Sequence, residues 1–262
     1  MIKILSMNIR GLGANPKFLA LKNLFQSSSS KIILIEETMH GIPEKIAYFK
    51  CMFPTWHITA MGAISLSEGL AVLWDLSWIS VRTFRYFDDI LLLAKLRGMA
   101  GIVYILNVYA PYKDRISYWN KFLSSEIMEI NSLLIVGDLN YTLSNDEVWG
   151  RGRKNDPVGG IIREAILQNN FVDISPSKMA PTWDNGRSEN AYLVKRLDHF
   201  LIHDRWMDRL GILISNILTS FISDHRLISL QWISQNHRKG IPFKFNRVCL
   251  EDVDFNKFLQ ES

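Results

Sequence analysis

The tightest constraint on how this 262-residue chain can fold is a set of short, nearly uninterrupted apolar runs, each stopped by a polar residue. Residues 31–36 read Lys-Ile-Ile-Leu-Ile-Glu, residues 102–109 read Ile-Val-Tyr-Ile-Leu-Asn-Val-Tyr, and residues 133–136 read Leu-Leu-Ile-Val. Runs of this length are too short for a buried helix and predict strands covered on both faces. Further strands are expected at Ile2–Asn8 and at 69–74, 80–84, 90–96, 196–202, 217–222 and 227–232. Between them fall helical stripes. Phe18, Leu21, Leu24 and Phe25 follow Asn15-Pro16, which reads as an N-cap with proline in the first turn. Trp119, Phe122, Leu123, Ile127 and Ile130 predict a helix over 118–130, and 161–167 another. Strands outnumber helices, so the reading is α/β (α+β): mixed sheets packed together with helices outside, and not a doubly wound parallel sheet.

Composition narrows the class further. With 48% hydrophobic residues the chain can build a sizeable core, which excludes intrinsic disorder. Two cysteines, Cys51 and Cys249, exclude a disulfide framework, and no zinc-ligand spacing occurs. No apolar run reaches membrane-spanning length and the first residues do not form a signal peptide, so a soluble protein with no membrane partner is expected. The net charge of +4 and pI near 9.0 suit a polyanionic partner without naming it. After Trp232 the sequence turns polar and basic, so one domain is expected over 1–233, with a polar linker and tail over 234–262 leading toward a downstream region.

The polar residues carry the functional signal through their positions. Asn8 ends the first apolar run, Glu37 follows the second and Tyr109 closes the run at 102–109. Asp138 and Asn140 follow 133–137, Asp224 and His225 follow 217–222, and Asp198 lies within 196–202. Groups at the ends of buried strands sit on the rim of a sheet, where they converge without breaking the core. Carboxylates brought together there repel one another, and a cation relieves that repulsion. Oxygen ligands without cysteines suit Mg²⁺ or Mn²⁺. Each piece alone has an ordinary explanation: Gly137-Asp138 as a turn, Ser223-Asp224 as a cap, Tyr109-Ala-Pro111 as a strand exit. Their occurrence together, in order and each at a strand edge, does not. Arg151, Arg153 and Lys154 read equally as a phosphate-contacting loop or a solvated basic one. His40, His57, His199, His203 and His237 read as surface or packing residues, and Trp119 and Phe122 as helix core.

Taken in order, the segments Leu5-Ser-Met-Asn-Ile-Arg10, Ile35-Glu-Glu-Thr38, Asn107-Val-Tyr-Ala-Pro111, Gly137-Asp-Leu-Asn140, Pro181-Thr-Trp183, Arg196-Leu-Asp198 and Ser223-Asp-His225 resemble the endonuclease/exonuclease/phosphatase superfamily. Asn8-Ile-Arg-Gly-Leu-Gly13, Gly69-Leu-Ala-Val-Leu-Trp-Asp75, Thr182-Trp-Asp-Asn185 and Pro242-Phe-Lys-Phe245 are similar to the endonuclease domain of LINE-type retrotransposons, plant ones in particular. The resemblance implies a four-layer αββα sandwich of two mixed sheets. It also implies Mg²⁺-dependent nicking of DNA that leaves 3′-hydroxyl and 5′-phosphate ends, fusion to a reverse transcriptase, and an intracellular, nuclear place of action. A phosphatase of phosphoinositides or other small phosphoesters and a non-cleaving nucleic-acid-binding relic are the other readings.

On that resemblance Asn8, Glu37 and Asp224 are the metal candidates, Asn8 alternatively contacting the phosphate and Asp224 alternatively bracing His225. Asp138 would hold and deprotonate the attacking water and Asn140 would fix it, while Tyr109 contacts the phosphate. Asp198 and His225 form an expected pair, and Thr182 and Ser223 add phosphate or supporting contacts. Whether Asp138 or His225 is the general base is left open. Three departures stand out. Glu36 replaces a usual glutamine and is expected to add charge beside the metal, Met7 replaces a frequent tryptophan, and Lys195 stands where abasic-site repair enzymes usually carry tryptophan.

Overall fold

In a computed structural model of the protein, the apolar runs become the inner strands of two six-stranded sheets. The structure describes residues 1–62, 69–151, 156–188, 191–219 and 222–233. One sheet is built from Ile2–Asn8 (β1), Ile32–Glu36 (β2), His57–Met61 (β3), Leu70–Trp74 (β4), Ile212–Leu218 (β14) and Leu227–Ile233 (β15), in the order β14-β15-β1-β2-β4-β3. The other uses Ile79–Tyr86 (β5), Asp89–Leu96 (β6), Val103–Tyr109 (β7), Leu133–Asp138 (β8), Phe171–Asp173 (β10) and Asp198–His203 (β13), in the order β10-β13-β8-β7-β6-β5. Val148–Gly150 (β9), Trp183–Asp184 (β11) and Leu193–Lys195 (β12) form a small third sheet.

The two large sheets follow one plan. In each, the third and fourth strands are parallel (β1 with β2, β8 with β7) and every other pairing is antiparallel. The carboxyl ends of these two central parallel pairs are the ends that carry Asn8, Glu36, Tyr109 and Asp138.

Alternation along the strands divides the core. Ile4, Ile32 and Leu34 of one sheet meet Leu92, Ile105, Leu134, Val136 and Phe200 of the other in a cluster between the sheets. Their sequence neighbours Leu5, Ile33 and Ile35 face outward, under Asn15–Ser27 (α1) and Ile42–Met52 (α2). Leu106, Val108 and Ile135 likewise face Arg115–Leu123 (α3) and Pro157–Gln168 (α4). The result is the four-layer helix–sheet–sheet–helix sandwich. Both faces of the inner strands are covered, which is why their sequences are continuously apolar. α1 has no side-chain cap and no acidic residue in its first turn, so packing of Leu21 and Phe25 on the sheet holds it. A short helix, Asp204–Leu210 (α5), follows β13. Among the described residues no helix is long and apolar enough to cross a membrane.

Some sequence-based expectations need correction. The helix expected over 118–130 ends at Leu123, where Ser124 caps it, and resumes only as a 3₁₀ turn over Glu126–Glu129. The serine pair at 124–125 turns its hydroxyls back onto the carbonyls of Lys121 and Phe122, competing with the helical ladder. The strand expected at 217–222 is Ile212–Leu218, because pairing with β15 fixes it from Ile212↔Ile233 to Leu218↔Leu227. The N-cap of α1 is Ala14, with Asn15 already helical. The stretch 234–262, with His237 and Cys249, lies outside the described residues.

Candidate active site

Strand register brings the polar residues together before any side chain is considered. Asn8 lies beside Glu36 across β1 and β2, Tyr109 beside Asp138 across β7 and β8, and Asp138 beside Asp198 across β8 and β13. Gly137 lets β8 approach β7 there: at φ +135° its backbone comes so close that a Cβ would lie 2.1 Å from the Val108 carbonyl oxygen. Just beyond the strand ends, Arg10, Glu37 and Asn140 take left-handed backbone angles of φ 48°, 49° and 50°. Such angles are uncommon outside glycine and turn the chain sharply, so three separate segments aim their side chains at one place. At Asn140 the turn is supported by its own N–H, which donates to Asp138 Oδ1 at 3.2 Å.

Asp138 is the hub. Its Oδ2 accepts from Asn8 Nδ2 at 2.9 Å and lies 3.5 Å from His225 Nε2. His225 Nδ1 contacts Asp198 Oδ2 at 3.0 Å, so the imidazole bridges two buried carboxylates from different strands. Burial penalises the imidazolium, but Asp198 and then Asp138 outweigh it and lift the His225 pKa to about 9. Burial also raises the Asp138 carboxyl above its ordinary range, with the His225 charge opposing and Asp198 reinforcing. The ring is therefore a charged donor near neutrality and the carboxyl an improved proton acceptor.

A second cluster lies alongside. Glu37 is 1% exposed, and Tyr109 donates its hydroxyl to Glu37 Oε1. Arg10 Nη1 contacts both Glu37 oxygens at 3.1 and 3.0 Å, while Arg10 Nε contacts both Asp224 oxygens at 3.1 and 3.2 Å. Trp183 Nε1 donates to Asp224 Oδ2 at 3.1 Å. Asn8 Oδ1 accepts the Arg10 backbone N–H at 3.1 Å, tying this cluster to the hub. Burial first, then the bond to Glu37, keeps the Tyr109 hydroxyl protonated. Glu37 and Asp224 offer an all-oxygen donor set whose charge Arg10 balances in this structure, and oxygen donors of this kind suit Mg²⁺ or Mn²⁺ in its place. Asp138, Asp198 and His225 also have ligand atoms within 4.8 Å of one another, but there the imidazolium supplies the positive charge.

The remaining candidates separate into those at the site and those supporting it. Asn140 Nδ2 donates to the Ala110 carbonyl at 2.6 Å, and its own carbonyl accepts from Arg115, which is paired bidentately with Asp156. Thr182 is fully buried, and its Oγ1 accepts the N–H groups of Leu197 and Asp198 at 2.9 and 3.1 Å. It holds the entry to β13. Ser223 accepts the His225 N–H at 3.2 Å and donates to Asp224, fixing the loop that presents both. Arg151 lies beside β12, its N–H bonded to the Tyr192 carbonyl, while Arg153 and Lys154 fall outside the described residues.

Glu36 corrects an expectation. It is fully buried, Ser6 donates to its Oε1 at 3.0 Å, and its Oε2 is without a protein partner. Burial, with the charge of Asp198 added, raises its carboxyl well above the usual range, which disfavours the negative charge expected of it. Sequence alone gives no role to Arg10, Trp183 or the ion-paired trio Arg196, Glu147 and Asp173. Arg196 bonds Glu147 at 2.5 Å and forks onto Asp173 at 2.6 and 2.9 Å, so it braces the chain just before Asp198. His199, which contacts Asp173 at 3.2 Å, is likewise buried and structural.

The fold is shared with solved endonucleases and phosphatases. The endonuclease domain of TRAS1, a telomere-specific non-LTR retrotransposon, superposes with a TM-score of 0.66 at 14% identity, over 90% of this chain and 99% of that one. The 3′ phosphatase NExo from Neisseria, solved with a product DNA hairpin, gives 0.67 at 17% over 89% and 100%. The AP endonuclease LMAP from Leishmania major gives 0.69 at 15% over 89% and 88%. The sequence matches no protein-family profile, and no curated protein sequence matches it significantly.

Proposed function

We propose that the protein is a metal-dependent DNA endonuclease that cuts one phosphodiester bond to leave 3′-hydroxyl and 5′-phosphate ends. The observation that carries this reading is the chain Asn8–Asp138–His225–Asp198, which joins four strand ends through hydrogen bonds and close charge pairs at one buried point. A phosphodiester resists water so strongly that its enzymes remove on the order of 20 kcal/mol from the barrier, which demands several groups acting together. Charged at neutral pH, His225 has no lone pair to take a proton and acts as a donor to the oxygen that gains charge. That leaves Asp138, with its raised pKa, to take the proton of the attacking water, and Asn8 to hold the carboxylate while it does so. Asn140, whose N–H already holds Asp138 Oδ1, would fix the same water, and the protonated Tyr109 hydroxyl, which donates to Glu37 here, would turn to the phosphate when substrate binds. Glu37 and Asp224, with Asn8, would hold Mg²⁺ or Mn²⁺, which would supply Lewis-acid stabilisation of the charge on the phosphate and leaving oxygens.

DNA is favoured over a small phosphoester by the pI near 9.0 and by the superposition on the TRAS1 endonuclease domain over nearly its whole length. The same likeness supports a role in target-site nicking by a LINE-type element, in the nucleus and beside a reverse transcriptase. The test is conversion of supercoiled plasmid to nicked circle in Mg²⁺, followed by polymerase extension from the nick, with inositol-phosphate release run in parallel. The wild type is expected to nick and leave extendable ends, while Asp138→Asn and His225→Ala each lose about 10²-fold or more with unchanged circular dichroism. Inositol-phosphate release without nicking would transfer the activity to the phosphatase reading, and DNA binding without any cleavage would remove catalysis altogether.

A further inference from the structure

Arg10 stands where a metal's charge is needed. Its guanidinium bridges Glu37 and Asp224, residues from the exit of β2 and the loop before β15, which bring two negative charges to one spot. The bridge is built by the backbone. Arg10 adopts φ 48°, its N–H is fixed on Asn8 Oδ1 at 3.1 Å, and the next residue, Gly11, donates its N–H to the Glu37 carbonyl at 2.6 Å. A fork held this way satisfies both carboxylates without any ion. Yet the side chain is 42% exposed and Asp224 is 34% exposed, whereas Glu37 is 1% exposed, so the bridge lies at the mouth of the site with one buried leg.

A divalent ion taking the same carboxylates would face the guanidinium at contact distance, and like charges there repel strongly. The geometry points to Arg10 as a displaceable counter-ion: it neutralises Glu37 and Asp224 in the metal-free protein, yields Glu37 when a divalent cation binds, and thereby sets how tightly that cation is held. Released from Glu37, its exposed fork remains next to the site and suits a phosphate oxygen pair on the substrate strand. This assignment rests on the reading of Glu37 as a metal ligand and adds a residue that regulates it. Arg10 is in this sense a positioning residue for the site and not a ligand.

Competition makes a prediction that ordinary structural damage does not, since removing the arginine should strengthen metal binding. Calorimetric titration of the full chain with Mn²⁺, without DNA, is expected to show Arg10→Gln binding about tenfold more tightly than wild type, with Arg10→Lys close to wild type. In parallel, the Arg10 Nε–H resonance of the wild-type protein is expected to shift on saturation with diamagnetic Mg²⁺ as its bonds change, a readout that needs no variant to fold. Mn²⁺ affinity unchanged or weakened in a folded Arg10→Gln protein, or an Nε–H signal indifferent to Mg²⁺, would overturn the proposal. Glu37→Gln separates the two readings. Weakened Mn²⁺ binding in that variant leaves the metal assignment standing whatever Arg10 does, and wild-type binding in it removes the metal assignment itself.

Discussion

His225 holds a carboxylate near each ring nitrogen, Asp198 at 3.0 Å and Asp138 at 3.5 Å, and this surplus of negative charge decides its protonation. Its folded pKa of about 9 exceeds the ordinary 6.5, so the stability it contributes is fully present below about pH 6.5 and is lost as pH rises through about 9. Asp198→Asn removes the larger of the two attractions. The stability gap between wild type and variant, from urea denaturation, is expected to be widest near pH 6 and to narrow by roughly 2 kcal/mol by pH 10. A gap independent of pH would show that the imidazole is not held charged by Asp198. At this scale the sequence was informative where a polar residue interrupts or ends an apolar run, because burial makes such a residue costly unless it has a purpose. It was silent on Arg10, whose role depends on Asp224 arriving from 214 positions away. Nor does it show that burial disfavours the charge of Glu36, which follows from its enclosure beside Ser6 and not from its own neighbours in sequence.

Between residues and fold, the strand ends are the working parts, and β8 is the most demanding of them. Gly137 sits one residue before Asp138, at φ +135°, with the Val108 carbonyl where a side chain would begin. In Gly137→Ala the new methyl meets backbone and not a flexible side chain, so β7 and β8 must separate locally and Asp138 moves with them. The expected cost is about 3 kcal/mol or more by denaturant unfolding, together with a loss of nicking larger than the fraction unfolded explains. A stable, fully active Gly137→Ala protein would mean that the close approach of the two strands is dispensable. Elements were legible in the sequence to the extent that local chemistry decides them. β1 matches its expected span residue for residue, whereas α4, expected over 161–167, begins four residues earlier at an Asp156-Pro157 pair that caps it. β14 was misplaced because 217, 218, 221 and 222 are as apolar as the true strand, and only its pairing with β15 settles which residues extend. The three short strands of the small sheet, β9, β11 and β12, have two or three residues each and no periodicity to read.

For the molecule as a whole, the repeated sheet plan explains why the site exists at all. The central parallel pairs end at the same seam, and each contributes from equivalent places: Asn8 closes β1 as Asp138 closes β8, and His225 precedes β15 as Asp198 opens β13. The plan also closes the chain on itself, since β15 pairs with β1 from Ile2↔Trp232 to Ser6↔Ile228. Without β14 and β15, β1 would become an exposed sheet edge and Ile4 would lose Ile228, Leu230 and Trp232 from the shared core. Each of those side chains contributes about 2 kcal/mol by burial, and their sum approaches the whole stability of a typical domain. A chain ending after Gly211 is therefore expected to be insoluble or to lack a cooperative unfolding transition. One ending after Ile233 is expected to keep the melting temperature and the nicking rate of the 262-residue chain. Comparing the three by thermal denaturation and plasmid nicking tests where the domain stops. If the Ile233 truncation unfolds, residues beyond 233 belong to the domain; if the Gly211 truncation folds cooperatively, the first sheet does not depend on its closing strands.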